Sequence, residues 1–457
     1  MNAGNRRKLH RYKDLRVQST ALRAADGGGA LSETHPKQII LGYLVPEFPG
    51  QTHVFFRREL AALEAVGVRT ELVSTRRPSP QIAMSGAWAS QAARRTAYLF
   101  PPRPRALMGA LVSLARSGPA GWKRLYRTIA SSEWSGLSNL ARHVALAMFG
   151  AELAYLARRR GWRHVQVHSC ADSANIALYA HAIARLPYSV TLHGPLRDYG
   201  PNQPMKWRFA AFAFVITRKL LGEVQEALAS NLPPSVDVVP MGVDVELFKR
   251  RTAYRPWRGE GPGRVFTCGR LHPCKGHHVL IRACAALRQR GLPVELHIAG
   301  ADDSATGEYR RFLEQLVDVL EAKGYVRLLG AVSEASVRDE LEAAHVFALA
   351  SHHEPLGVVI MEAMAMQVPV VATSAGGVCE LVDAGRDGVL VPPGSPDALA
   401  EAIETILRDP SLADRFSAAG RGKIESSFHS RRSAGALARR LGVAVPAAVQ
   451  AVTAAGP

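Results

Sequence analysis

Two carboxylates eight residues apart, Glu354 and Glu362, sit on either side of a point where a helix must begin. The segment Ser351-His352-His353-Glu354-Pro355-Leu356-Gly357-Val358 follows an apolar run, Val346 to Ala350, that reads as a buried strand, and Gly357 opens the next helix. Free backbone N–H groups at a helix start, together with the helix dipole, bind anions without any side chain. A diphosphate suits such a place. Glu354, just before the turn, would then lie beside whatever hangs from the distal phosphate, and a carboxylate is well made to accept paired hydrogen bonds from vicinal hydroxyls. Glu362, about a turn and a half into the helix, would face back along the rest of the ligand. Taken singly, each is more simply a cap or a helix-surface glutamate; the pair in this setting is not.

A second cluster, Gly269-Arg270-Leu271-His272-Pro273-Cys274-Lys275-Gly276, again joins a strand to a helix. Arg270 and Lys275 are expected across the cleft from the first helix start, neutralising phosphate oxygens. When the bond to a phosphate leaving group breaks, negative charge grows on it. Fixed cations and amide dipoles aimed at that charge lower the barrier. Without the first cluster this would be a solvated basic turn.

The elements that must hold these residues alternate in type. Strands read at Ile39 to Val45, Thr70 to Ser74, His164 to Ser169, Tyr188 to Leu192, Ala213 to Thr217 and Val236 to Val239. A Pro- and Gly-rich linker follows. Six more strands then alternate with helices between Arg264 and Leu407. Strands separated by helices imply parallel βαβ units with right-handed crossovers. The expected architecture is α/β, with two facing Rossmann-like doubly wound domains and a site in the cleft between them, outside the strand ends. The expected boundaries are a basic tail at 1–37, a first domain at 38–240 and a linker at 241–263. A ligand-binding domain at 264–427 and a returning C-terminal helix and tail at 428–457 complete the chain.

As a set, these motifs resemble family 4 of the retaining glycosyltransferases, of GT-B fold, over roughly Ile39 to Phe428. The likeness rests on G-R-L-x(3)-K-G at Gly269 to Gly276, the E-x7-E pair, E-A-M-A at Glu362 to Ala365 and P-V-V-A-T at Pro369 to Thr373. It also rests on G-G-x-x-E at Gly376 to Glu380 and G-V-D at Gly242 to Asp244. The resemblance implies that Arg270 and Lys275 bind the donor diphosphate. It implies that Glu354 holds donor-sugar hydroxyls, with Leu356, Gly357 and Val358 supplying amides, and that Glu362 binds the nucleotide ribose. His193, in Thr191-Leu192-His193-Gly194, matches a histidine that reaches the donor sugar near the reacting centre. The catalytic set so implied is His193, Glu354, Arg270 and Lys275. The opening from Tyr43 to Leu60 is similar to a subgroup building exopolysaccharides such as colanic acid. Its Ser-Glu-Thr-Phe loop survives here only as Thr52 and a shifted Phe55. Ala350 stands where the family usually has Pro, and Gln367 where Gly is common.

The chain has 457 residues, long enough for two domains, with 47% hydrophobic and 21% charged residues. Five scattered cysteines suggest neither a disulfide framework nor a zinc site, and fit a reducing, cytoplasmic compartment. No run of eighteen uncharged apolar residues occurs; Val144 to Ala157 comes nearest and is interrupted by Glu152. The formal charge is +18, and from Gln81 to Val165 thirteen Arg or Lys face two Glu, a net of +11, interleaved with aromatic residues. That mixture suits the anionic inner face of the cytoplasmic membrane. Nucleic acid is the other partner class such charge fits, and no compact recognition motif for it is present. No Asp-x-Asp pair follows a strand, so no metal and no cofactor beyond the donor are expected. The reading is transfer of a sugar, expected to be a UDP-linked hexose, to a lipid-linked or growing glycan. The alternatives are a GDP-mannose-dependent enzyme of the same family, a nucleotide-sugar epimerase of the same fold, and a non-enzymatic basic binding protein.

Overall fold

A computed structural model describes residues 39–445, apart from 51–53, 80–85, 134–135, 303 and 305. The tail at 1–37, the end of the chain from 446, and part of the loop carrying Thr52 therefore lie outside the described residues.

The first sheet has seven parallel strands: β1 (Ile40–Glu47), β2 (Arg69–Arg76), β3 (Ala97–Tyr98), β4 (His164–Val167), β5 (Tyr188–Leu192), β6 (Ala213–Val215) and β7 (Val236–Val238). Their order is β3-β2-β1-β4-β5-β6-β7. The second has six: β8 (Gly263–Cys268), β9 (Val294–Ala299), β10 (Val326–Gly330), β11 (Val346–Leu349), β12 (Val370–Thr373) and β13 (Val389–Val391), ordered β10-β9-β8-β11-β12-β13. Both are doubly wound, and each reverses direction at one switch point, β1/β4 in the first and β8/β11 in the second. Doubly wound sheets bind ligands at such points.

Helices α1 (Val54–Ala65), α2 (Ala87–Arg95), α3 (Pro104–Arg116), α4 (Gly118–Ala130), α5 (Gly136–Arg160), α6 (Asp172–Ala184), α7 (Gln203–Arg208) and α8 (Arg218–Leu228) serve the first sheet. The second carries α9 (His277–Gln289), α10 (Glu308–Val319), α11 (Glu334–Ala343), α12 (Val358–Ala365), α13 (Val378–Leu381), α14 (Pro396–Arg408) and α15 (Pro410–Ser427). The last helix, α16 (Arg431–Arg440), returns to pack on α1, with Ala434, Leu437 and Ala438 sharing a buried cluster with Phe56 and Leu60.

By length and hydropathy α5 could reach across a membrane, contrary to the expectation from its sequence. Half of its apolar window is buried against neighbours, mainly α6 and α3, and Glu152 lies inside, so here it works as a core helix. The strand pattern missed β3, which pairs only Val73 with Ala97 and Ser74 with Tyr98. One apolar cluster runs unbroken from the first sheet (Leu44, Val167, Leu192) into the second (Phe266, Leu349) and α12 (Ile360), so the two halves share a core.

Candidate active site

The loops after β8 and β11 leave the second sheet side by side at its switch point. They are held together by contacts that leave no room for a side chain. A Cβ on Gly276 would meet the Ala350 carbonyl oxygen at 2.0 Å, and its φ of +65° is one few other residues adopt. His352 N–H donates to the Cys274 carbonyl at 2.7 Å. Lys275 is thereby set against Glu354, with Nζ and Oε2 2.5 Å apart. Arg270 and Lys275 do not face the α12 start across a cleft, as the spacing suggested. They lie on the neighbouring loop of the same sheet, because β8 and β11 are adjacent strands.

Beneath Arg270, His277 is 1% exposed and bonds the Arg270 carbonyl at 3.1 Å. Burial pushes its imidazole down to about 4, so it is neutral and donates one N–H to that carbonyl. Arg270 itself is exposed. His277 was not singled out in the sequence, since a His at a helix start carries no signal of its own.

Glu354 is 7% exposed and takes a further bond from the Ser351 hydroxyl at 3.3 Å. Its backbone is gripped by the G-G-x-x-E segment. A Cβ on Gly376 would strike the Glu354 carbonyl at 2.1 Å, and one on Gly377 the Pro355 carbonyl at 2.1 Å. Gly357 has a φ of +95° and no side chain caps α12, so the amides of its first turn take no bond from a capping side chain. Leu356 is buried, and Val358 is partly exposed at the start of the helix.

Glu362 is buried, and its carboxylate accepts from Arg58 of α1 at 2.6 Å. Arg58 also reaches Glu334 at 3.2 Å, and Arg57 bonds Glu334 at 2.6 Å. Burial raises the Glu362 carboxyl and Arg58 opposes that. The residue expected on the ribose is thus already paired across the two halves.

His193 follows β5, partly buried, beside Phe55 and Phe56. A Cβ on its neighbour Gly194 would lie 3.7 Å from the Pro355 ring, so the β5 loop and the Glu354 loop meet. Glu380 accepts from the Arg218 and Lys219 amides at 2.7 and 2.8 Å, capping α8 of the other half. Among the described residues no three His, Cys, Asp or Glu side chains converge as a metal site.

Residues 255–423 match the family described as glycosyl transferases group 1. The putative colanic acid biosynthesis glycosyltransferase WcaL of Salmonella typhimurium is 31% identical over 44% of this chain and 49% of its own length. D-inositol 3-phosphate glycosyltransferase of Corynebacterium urealyticum is 28% identical over 68% of this chain and 78% of its own. The chain spans about half the length of the first relatives it matches. Among solved structures, Anabaena Alr3699/HepE in complex with UDP superposes with a TM-score of 0.66 at 21% identity, covering 88% of this chain and 99% of that one. The same protein has been crystallised with UDP-glucose. The fold is therefore the GT-B arrangement of two facing Rossmann-like domains.

Proposed function

We propose that this protein is a glycosyltransferase that moves a sugar from a nucleotide diphosphate donor to a glycan acceptor. The observation that carries it is the Lys275–Glu354 pair, formed by the loops after β8 and β11 at the switch point, with α12 starting uncapped just after Glu354. A diphosphate seated on the α12 amides draws Lys275 toward its oxygens and frees Glu354 to accept from sugar hydroxyls. As the bond from the sugar to phosphate breaks, Lys275, Arg270 and the helix start stabilise the charge that develops. The similarity of residues 255–423 to glycosyl transferases group 1 supports the same reading.

The finer reading is a family 4 enzyme that retains anomeric configuration, the leaving phosphate helping to deprotonate the acceptor on the same face. It is metal-independent, with Lys275 and Arg270 in the place of an ion, and uses no cofactor beyond the donor. UDP-hexose is the donor, a choice supported by the UDP and UDP-glucose complexes of the Anabaena protein. GDP-mannose is the alternative. The acceptor is a lipid-linked or growing glycan of an exopolysaccharide, in keeping with the colanic acid relative. Work of this kind belongs on the inner face of the cytoplasmic membrane. Leu107, Met108 and Leu111 of α3 and Trp122 and Tyr126 of α4 are exposed beside Arg105, Arg116, Lys123 and Arg127, a pairing that suits an anionic interface.

Thermal shift with UDP-glucose, GDP-mannose and ADP-glucose tests the donor. One of them is expected to raise Tm in the wild type, with the shift largely lost in Lys275→Ala. No shift with any, or an equal shift in the variant, overturns the assignment. Flotation with phosphatidylserine vesicles is expected to fall when Lys123 and Arg127 are replaced by Ser; unchanged flotation removes the membrane from the reading.

A further inference from the structure

One cation of the first half reaches into the second and takes hold of a carboxylate that the donor reading needs. Arg58 of α1 donates through Nη2 to Glu362 Oε1 at 2.6 Å, and to Oε2 of Glu334, the first residue of α11, at 3.2 Å. Arg57 donates to the other Glu334 oxygen at 2.6 Å. The Arg58 guanidinium carbon lies over the buried Phe248 ring, 4.7 Å from its centroid. Two carboxylates and an aromatic face thus fix where this cation sits.

Two features set this pair apart from one kept for stability. Nε and Nη1 of Arg58 are buried and have no hydrogen-bond partner among the described residues, a cost that apolar packing in the same place would not carry. Exposure is also lopsided. The Arg58 side chain is 2% exposed and that of Glu362 10%, so a ligand at α12 can touch Glu362 while Arg58 stays behind it. Vicinal hydroxyls need acceptors, and an ionised carboxylate accepts at both oxygens where a protonated one donates at one of them. Burial pushes the Glu362 carboxyl up, toward the protonated form; Arg58 opposes this, and the nearby Glu334 adds to the rise.

We propose that Arg58 is a positioning residue for Glu362, holding Oε1 so that the carboxylate is set to accept the 2′- and 3′-hydroxyls of the nucleotide ribose. This rests on the glycosyltransferase reading, which puts a nucleotide at α12. Its consequence is that the donor site of the second half depends on a side chain of the first. Arg58 acts through Glu362 alone and makes no contact with the nucleotide itself.

Calorimetric titration of the full chain with UDP and GDP, each beside its 2′,3′-dideoxy form, tests this. The wild type is expected to bind one of the two natural nucleotides about 10- to 100-fold more tightly than its dideoxy form, as hydrogen bonds to a charged acceptor allow. Glu362→Gln and Arg58→Met should each bring that ratio close to one. Glu334→Gln breaks other bonds between the halves but spares the Arg58–Glu362 contact, and should keep the ratio. A ratio preserved in folded Arg58→Met, or lost equally in Glu334→Gln, overturns the proposal. Arg58→Met leaves a buried carboxylate alone and risks unfolding, so a double variant gives a second test. Arg58→Met/Glu362→Gln leaves neither charge unpaired and should bind the nucleotide as Glu362→Gln does; a further loss overturns the proposal. If the wild type binds no nucleotide, the donor assignment fails and this proposal with it. If it binds one and the ratio survives in Arg58→Met, the proposal alone fails.

Discussion

Lys275 and Glu354 satisfy each other as an ion pair, and on the proposed reading donor binding exchanges that pair for contacts to phosphate and hydroxyl. On the proposed reading, removing Lys275 takes away a cation needed most when the leaving phosphate gains charge. Lys275→Ala is expected to lower kcat about 10²- to 10³-fold, measured as UDP release from UDP-glucose. Arg58 presents a different case. Its guanidinium is 2.6 Å from Glu362, and both residues are nearly buried. Arg58→Ala leaves the Glu362 charge without that partner, which costs about 3–5 kcal/mol; urea unfolding should show it. Residue types and local spacing made Lys275 and Glu354 readable. The Arg58–Glu362 pair was not, because partners 304 residues apart leave no local trace.

At the scale of elements, several motif positions prove to be about backbone shape. Gln367, where relatives of this pattern commonly carry Gly, has a φ of +57°. A side chain there costs about 1 kcal/mol in strain, so Gln367→Gly is expected to stabilise the chain by up to about 1 kcal/mol, read from the urea midpoint. Glu380 closes G-G-x-x-E by capping α8 of the opposite half. Glu380→Ala should cost about 1 kcal/mol in the same experiment. Both could be seen in the sequence as motif letters, but not for what they do, since a φ angle and a cap on a distant helix are three-dimensional facts. Long alternating segments such as β5 and β9 were legible from their apolar runs. Two-residue β3 was not, because two residues have no period.

For the whole molecule, burial sets a pH dependence with a definite sign. Glu152 and Glu59 are each raised from 4.5 to about 7, chiefly by desolvation. Between those values the folded chain keeps protons that the unfolded chain has released. Their contribution to stability is therefore complete below about pH 4.5 and is lost as pH rises through 7. Glu152→Gln is expected to raise Tm relative to wild type at pH 8 and to leave it nearly unchanged at pH 5, by calorimetry. An equal difference at both values would remove burial of this carboxyl as the cause. The two-sheet architecture was legible as a count of alternating elements. The continuous core joining the halves was not, since nothing local marks which apolar face meets which.

The polypeptide passes between the halves at two places, and they touch. Val243 N–H donates to the Phe428 carbonyl at 2.8 Å, and Ser430 N–H to the Val243 carbonyl at 2.9 Å. A Cβ on Gly242 would collide with His429 there. Residues 244–428 thus amount to one continuous insertion whose ends meet, planted in a host that resumes with α16. Such a cassette can be lifted out and replaced without reconnecting distant ends. A chimera carrying the corresponding segment of a second GT-B protein, joined at Val243 and His429, is expected to fold and, on the proposed reading, to take its donor preference from the insert and its acceptor from the host.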